Sequence, residues 1–165
     1  MKIKLNLMLL IVAALLVTLT GCKKTPPGAT QISGIGFYAV TDECNYLSRG
    51  ANYALKMTGD LEGCLYTFID EYKCFGDGLY LEKGRELFIG RYKGKTGTFK
   101  TAYIFEAKFE GCNNGAPLGL EIIGGCQHPI VEGSGDGVFK GVTGQLNFWD
   151  DIKRGNFPYW GHLQF

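Results

Sequence analysis

Residues 99–110 alternate between two faces of an extended chain with almost no exception. Aromatic residues dominate one face, which holds Phe99, Tyr103, Phe105 and Phe109, and charged or aliphatic residues occupy most positions between them. A period of two residues is that of a β-strand with one buried face, and an α-helix cannot keep it. The run predicts a long strand in an all-β domain, and we expect these four aromatic side chains to line a ligand-binding lumen.

The start of the chain has the pattern of a signal peptide. Lys2 and Lys4 precede an uncharged run over residues 7–20, which is shorter than the roughly 20 residues that a bilayer span needs. The run ends at Gly21 and Cys22, and this ending resembles the lipobox of bacterial lipoproteins. The resemblance implies cleavage before Cys22, a diacylglycerol on its thiol and an acyl chain such as palmitate on its amine. The alternative is an ordinary secretory signal followed by a stray cysteine.

These features divide the chain into three predicted parts. They are a lipoprotein signal peptide over 1–21, a lipidated cysteine with a flexible tether over 22–31, and a single β-barrel domain over 32–165. We expect an exported protein whose lipid anchor holds it at the membrane of the bacterial cell envelope. Lys23 and Lys24 directly follow Cys22, so no acidic residue occupies the position after it, which favours the outer membrane over the inner one. The chain has 17 basic and 16 acidic side chains, and this balance excludes a nucleic-acid protein that binds through a basic surface.

Export changes the interpretation of the cysteines. An oxidising compartment favours disulfides over metal thiolates, and the preferred pairs are Cys64 with Cys74 and Cys112 with Cys126, which leaves Cys44 odd. Spacing does not fix connectivity, and Cys44 could replace any of the other four. No two cysteines have Cys-x-x-Cys spacing and the chain has two histidines, so we expect no metal site and no cofactor.

Short candidate strands separated by turns fill the rest of the chain, which holds 25 glycines. Separate strands are predicted over 78–82 and 86–92, and again over 118–123 and 128–132. Strands at this spacing are typical of a sandwich or a small barrel. We favour a barrel of about eight strands, because closure removes the exposed edges that an exported domain must hide.

The C-terminal third carries a family resemblance. Residues 135–144 read GDGVFKGVTG, and a final strand begins with Tyr159, Trp160 and Gly161. This resembles the allene oxide cyclase-like barrels and the neighbouring dirigent-like barrels, in which a G-x-G-x-F-x-G-x-x-G turn joins two strands and a Y-x-G strand closes the barrel. The resemblance implies a small antiparallel eight-stranded barrel of calycin-like shape. It carries over no activity, because the polar pocket residues of the plant cyclase have no one-to-one match in this chain.

The sequence predicts no catalytic residue. Cys126 and His128 share one face of a strand, but this spacing does not by default give a proton-transfer geometry, and a cysteine in a disulfide is inert. We expect His128 to cap or hydrogen-bond a strand end. Glu62, Glu71 and Glu86 could project into a lumen, and we expect them to be solvated charges.

The remaining candidate site is a surface patch. If Tyr159 faces the core, the alternation of the last strand places Trp160 and His162 outside, with Trp149 as a neighbour. Exposed tryptophans can mark a binding surface, and the alternative is a tryptophan partly covered by loops.

We therefore expect a non-enzymatic barrel that binds a small apolar ligand or an envelope protein. The alternatives are an isomerase-like or cyclase-like enzyme that uses the lumen, and a structural envelope protein that docks through the patch.

Overall fold

A computed structural model of the chain describes residues 25–165, so the predicted signal peptide and Cys22 lie outside the described residues. The strands are β1 (Thr30–Tyr38), β2 (Tyr53–Gly59), β3 (Leu61–Cys74), β4 (Leu79–Tyr92), β5 (Lys95–Asn113), β6 (Ala116–Pro129), β7 (Asp136–Gly137), β8 (Thr143–Trp149) and β9 (Phe157–Gln164). One short 3₁₀ helix covers Leu47–Arg49. Within residues 25–165 no helix has the length and apolar character needed to cross a bilayer.

Eight of the strands close into an antiparallel barrel. Their order around the barrel is β1, β2, β3, β4, β5, β6, β8 and β9, and β9 pairs with β1 to complete the ring. The two-residue β7 is an additional strand that pairs with Gly97 and Thr98 of β5. The prediction of an all-β protein with an eight-stranded antiparallel barrel is confirmed, and the barrel begins at Thr30, two residues before the predicted boundary.

Two strands are longer than the sequence pattern predicts. β4 runs without a break through Gly84, and β6 runs through Gly124 and Gly125, so the predicted division of each into two strands is wrong. Gly84 pairs with Tyr103 of β5, and a Cβ atom at Gly84 would collide with the Tyr103 ring and with the carbonyl oxygen of Phe68. The glycine therefore admits a close approach inside the strand and does not end it.

One end of the barrel is filled with aromatic and aliphatic side chains, and we call it the packed end. Phe88, Phe99 and Phe139 have no exposed surface, and the centroid of the Phe99 ring lies 4.9 Å from those of both neighbours. Further buried members of this cluster are Ile32, Met57, Leu61, Leu65, Val142, Leu146 and Leu163. Phe99 and Tyr103 are buried and Ile104 on the opposite face is exposed, which confirms the predicted alternation in this part of residues 99–110.

The disulfides differ from the preferred pairs. Cys44 pairs with Cys64, Cys74 pairs with Cys112, and Cys126 is a free thiol. Cys64 and Cys74 belong to the same strand, β3, and ten residues at about 3.3 Å each keep them apart. Cys112 and Cys126 also lie far apart along the β5–β6 ladder, because Cys126 is opposite Phe105. The predicted pairings, and a disulfide at Cys126, are therefore wrong.

Each disulfide fastens a segment outside the packed end. The Cys44–Cys64 bond attaches the connection between β1 and β2 to the outer face of β3, where it covers Ala54 and Tyr66. The Cys74–Cys112 bond joins the end of β3 to the end of β5, where Tyr80 and Ala107 form a small cluster. It thus links the two long hairpins at the opposite end of the barrel, which we call the cavity end.

Candidate functional site

The cavity end of the barrel encloses a space of about 160 Å³. Seven aromatic rings form most of its wall, together with the Leu55 side chain, the Cys126 thiol, the His128 imidazole and four carboxyl groups. The aromatic residues are Tyr38, Tyr53, Tyr103, Phe105, Phe109, Phe148 and Phe157, and the carboxyl groups are those of Glu82, Glu86, Glu121 and Asp150. Tyr38 is 64% exposed and forms part of the rim, so the cavity borders on solvent.

Glu86 lies on β4 where the packed end meets the cavity. Its side chain is 4% exposed, and it accepts hydrogen bonds from the Thr101 hydroxyl at 2.5 Å and the Thr67 hydroxyl at 3.3 Å. These residues face one another because Thr67, Glu86 and Thr101 are opposite one another in the β3–β4–β5 register. Hydrogen bonds of this kind are what allow a carboxyl group to remain in an apolar interior. The expectation that Glu86 is a solvated charge is wrong.

His128 connects Glu86 to the free thiol. Its Nδ1 atom lies 2.5 Å from a Glu86 carboxyl oxygen, and its Nε2 atom lies 2.6 Å from the Cys126 sulfur. The imidazole is 4% exposed and is stacked against the Tyr103 ring on one side, while the Phe148 ring packs with a centroid distance of 4.7 Å. The sequence predicts that His128 caps or hydrogen-bonds a strand end, and it does hydrogen-bond next to the end of β6, but its partners are a buried carboxyl group and a buried thiol and not a strand terminus.

Glu82 forms a second buried carboxyl centre four residues before Glu86 on β4, closer to the cavity mouth. It accepts hydrogen bonds from the hydroxyl of Tyr80 at 2.6 Å and from the hydroxyl of Tyr103 at 2.7 Å. Burial, followed by the bond to Glu82, raises the pKa of each of these tyrosines above its usual range. Both hydroxyls therefore stay protonated and donate, which fixes the Tyr103 ring beside the imidazole of His128.

Glu121 and Asp150 add a proton-carrying pair. Burial, followed by the charge of Glu121, raises the pKa of Asp150 from 3.8 to about 7, and burial raises the pKa of Glu121 as well. One Glu121 oxygen is buried without a hydrogen-bond partner. Two neighbouring carboxyl groups in a poorly solvated place do not both ionise readily. A proton near neutral pH is therefore available on this pair.

The Cys126 thiol is protonated in the resting protein. Burial raises its pKa well above the usual value, and the carboxyl charges of Glu86 and Asp150 add to the effect. A thiol in this setting is inert until a base takes its proton. The neighbouring imidazole nitrogen is the group within reach to do so.

The structure separates the four aromatic residues predicted to line a lumen. Tyr103, Phe105 and Phe109 line the cavity, whereas Phe99 lies in the packed end and does not. The Phe99 ring packs against the rings of Phe88 and Phe139 inside the barrel, farther from the cavity than the other three aromatic residues. The prediction of Phe99 as a lining residue is therefore wrong.

The predicted surface patch lies on the outer face of the barrel. Trp149 is 46% and Trp160 is 51% exposed, and both border one shallow groove with Ile104 and Pro129. His162 is partly buried on the same strand as Trp160 but does not border this groove. The groove lies on the outer side of β6 and β8, and Tyr103, Cys126 and Phe148 line both the groove and the cavity.

Neither a metal site nor a related protein accounts for this arrangement. Among residues 25–165 no group of three or more histidine, cysteine and acidic side chains could hold a metal ion. Comparison with protein-family models, with curated proteins and with solved structures finds no match to the chain. The resemblance to allene oxide cyclase-like barrels stays a prediction.

Sequence reasoning missed most of the polar residues of the cavity. Alternation along β4 places Glu82, Gly84, Glu86 and Phe88 on one face, and the predicted break at residues 83–85 hid that continuity. Because Glu86 and Phe88 are two residues apart on the continuous strand β4, a buried Phe88 implies that Glu86 also points inward. No local signal identifies Asp150, which lies in the connection after β8.

Proposed function

We propose that this protein is a small-molecule-binding barrel whose cavity end takes one compact ligand with an apolar body and a polar group. The cavity and its wall of seven aromatic rings carry the proposal. Its volume of about 160 Å³ is below the roughly 300 Å³ of a drug-sized pocket. It matches the roughly 150 Å³ of a protein cavity that binds benzene. The ligand is therefore about the size of a single substituted ring.

The polar wall selects against anionic ligands. Among residues 25–165, four carboxyl groups and one imidazole line the cavity, and no lysine or arginine does. A carboxylate or phosphate on the ligand would face these groups without a cationic partner, which is costly in a poorly solvated space. A neutral ligand with a hydroxyl or carbonyl group can exchange hydrogen bonds with the same carboxyl groups. The preferred ligand is a small neutral ring compound with one such group.

Titration calorimetry with p-cresol tests this function. The compound has the required size, an aromatic body and one hydroxyl group, and we expect one molecule to bind per barrel. Leu55→Trp would fill the cavity that Leu55 lines and should abolish binding. Leu47→Trp adds the same bulk at an exposed site and should leave binding unchanged. No heat of binding with the unmodified protein, or equal binding by both variants, would contradict the proposal.

We also propose that the barrel acts at the bacterial cell envelope, held by a lipid on Cys22. The signal-peptide pattern and the lipobox-like ending at Gly21 and Cys22 support this location, and several acyl chains would give a stable anchor. Labelling of cells with radioactive palmitate should mark the full chain and leave Cys22→Ser unlabelled. Equal labelling of both, or none, would contradict the anchor. Fractionation of the labelled cells tests the preference for the outer membrane.

A second candidate function is docking of an envelope protein on the outer groove. Trp149 and Trp160 support it, because half-exposed tryptophans are common in protein interfaces. A photo-crosslinking residue at position 160 of the full chain should capture one defined protein in cells. The same residue at the exposed position Lys140 is the control. Identical products from both positions would contradict a specific patch.

A further inference from the structure

Cys126 is placed differently from the other four described cysteines. Those four form two disulfides, and Cys126 remains a free thiol in the wall of the cavity. Its sulfur lies 2.6 Å from Nε2 of His128. A nucleophile and a base at hydrogen-bonding distance, with a third group that orients the base, are the parts of a nucleophilic site.

The third group is present and is itself held in place. Glu86 lies 2.5 Å from Nδ1 of His128, and the hydroxyls of Thr67 and Thr101 donate to its two oxygens. In the tautomer with the proton on Nδ1, Nδ1 donates to the Glu86 carboxylate and Nε2 has a free lone pair toward the sulfur. The arrangement prepares His128 to accept the thiol proton, and Glu86 to stabilise the imidazolium that results.

The surroundings restrict the kind of electrophile. A thiol in this wall meets a space that admits a single small ring and lacks a cationic group. Acyl transfer would need room in this space for a leaving group and for water. Addition to a carbon–carbon double bond conjugated with a carbonyl needs no leaving group. Asp150 lines the same cavity, and its carboxyl group when protonated can hydrogen-bond the carbonyl oxygen as charge develops there.

We propose that Cys126 is a reactive nucleophile that adds once to small α,β-unsaturated ketones or aldehydes bound in the cavity and keeps them as a thioether, with His128 as the base and Glu86 as a positioning residue. This inference rests on the proposed function, because the electrophile must enter the cavity to meet the thiol.

The step balances without another reactant. The sulfur forms a bond to the β-carbon as its proton moves to Nε2 of His128, and the electron pair of the double bond passes to the α-carbon and the carbonyl oxygen. The imidazolium then returns one proton to the α-carbon. The product is a saturated thioether of Cys126, and His128 is again neutral.

The test is the rate at which the folded full chain reacts with 2-cyclohexen-1-one. Intact mass measures the addition of one molecule, and peptide mapping identifies the modified residue. N-acetylcysteine at the same pH gives the rate of an unassisted thiol. We expect Cys126 to react on the order of 100-fold faster than N-acetylcysteine, the range of general acid–base assistance. A rate equal to or below that of N-acetylcysteine would show a shielded structural thiol and overturn the proposal.

Competition with p-cresol separates this inference from the proposed function. If p-cresol binds and slows the reaction, both stand. If p-cresol binds and Cys126 does not react, the nucleophile is wrong and the binding function stands, whereas failure of both measurements removes both. A fast reaction that saturating p-cresol does not slow would place the reactive thiol outside the cavity and overturn the assignment.

Two variants test the roles of the partners. His128→Gln should lower the rate to about that of N-acetylcysteine, and His162→Gln, on the outer side of β9, should leave the rate unchanged. Glu86→Gln should lower the rate about tenfold and alter its pH profile, because the imidazolium loses its carboxylate partner, and a merely structural role would not change the pH profile. Rates in Glu86→Gln and His128→Gln that equal the unmodified rate would contradict the roles. If either variant does not fold, the comparison with N-acetylcysteine still decides.

Discussion

The packed end and the cavity end of the barrel are built by the same strands and differ in what their inner faces carry. Along β4 the inward positions begin with Tyr80, Glu82 and Glu86 at the cavity end and finish with Phe88 and Tyr92 at the packed end. The packed end excludes solvent by filling the space. The cavity end leaves space and surrounds it with hydrogen-bonded carboxyl groups. One continuous alternation therefore supports stability at one end and ligand chemistry at the other.

The largest expected effect comes from truncation in the packed end. Phe99→Ala removes a fully buried ring that packs on two others and should lower the free energy of unfolding by about 3–5 kcal/mol. Phe105→Ala, on the same strand and only partly buried, should cost about 1–2 kcal/mol. Urea denaturation measures both. Equal losses would show that the two ends contribute alike to stability.

Removal of either disulfide should cost less than the Phe99 truncation. Replacing Cys74 and Cys112 by serine should lower the free energy of unfolding by about 2–4 kcal/mol. The loss should be slightly larger than for replacing Cys44 and Cys64, because the Cys74–Cys112 bond closes a longer loop (38 residues against 20). The connection that Cys44 fastens runs between Tyr38 and Tyr53 in the cavity wall, and Cys74 and Cys112 fasten the long hairpins at the same end, so loss of either pair should also weaken p-cresol binding. Denaturation and calorimetry on both double variants check this, and unchanged binding in both would contradict it.

The pH dependence of stability reports on the cavity carboxyl groups. The pKa of Asp150 is raised from 3.8 to about 7 in the folded protein, so between about pH 4 and pH 7 the folded state holds a proton that the unfolded state has lost. For this group the free energy of unfolding falls as pH rises through that window, by at most about 1.4 kcal/mol per pH unit. Urea midpoints at several pH values measure the slope, and Asp150→Asn should remove this contribution.

A matched control separates the buried carboxyl group from general charge effects. Asp42→Asn changes an exposed aspartate and should leave the slope as it is in the unmodified protein. An unchanged slope in Asp150→Asn would show that this carboxyl group does not take up a proton on folding.

The smallest effect is expected outside the barrel. Trp160→Ala removes a half-exposed ring from the outer groove and should change the free energy of unfolding by no more than about 0.5 kcal/mol. Binding of p-cresol should not change, because Trp160 does not line the cavity. A loss of p-cresol binding in calorimetry would show that the two faces of β8 and β9 are coupled.

The sequence predicted the barrel better than it predicted the site, and particular residues show why. The alternation over residues 99–109 predicts a strand with one buried face, and this prediction depends only on the local sequence and not on which strands lie beside it. Glu86 and Asp150 carry no such local signal, because their surroundings are set by strands far away in the chain. The sequence predicts a Cys112–Cys126 disulfide, because spacing alone does not show that these two residues lie far apart along the β5–β6 ladder.

Small molecules should enter the cavity end of the barrel and not the packed end. Nuclear magnetic resonance of the protein with labelled phenylalanine, titrated with p-cresol, measures this directly. We expect shifts in the signals of Phe105 and Phe148, which line the cavity, and none in those of Phe99 and Phe139. Unchanged signals at Phe105 and Phe148, or equal shifts at both ends, would contradict it.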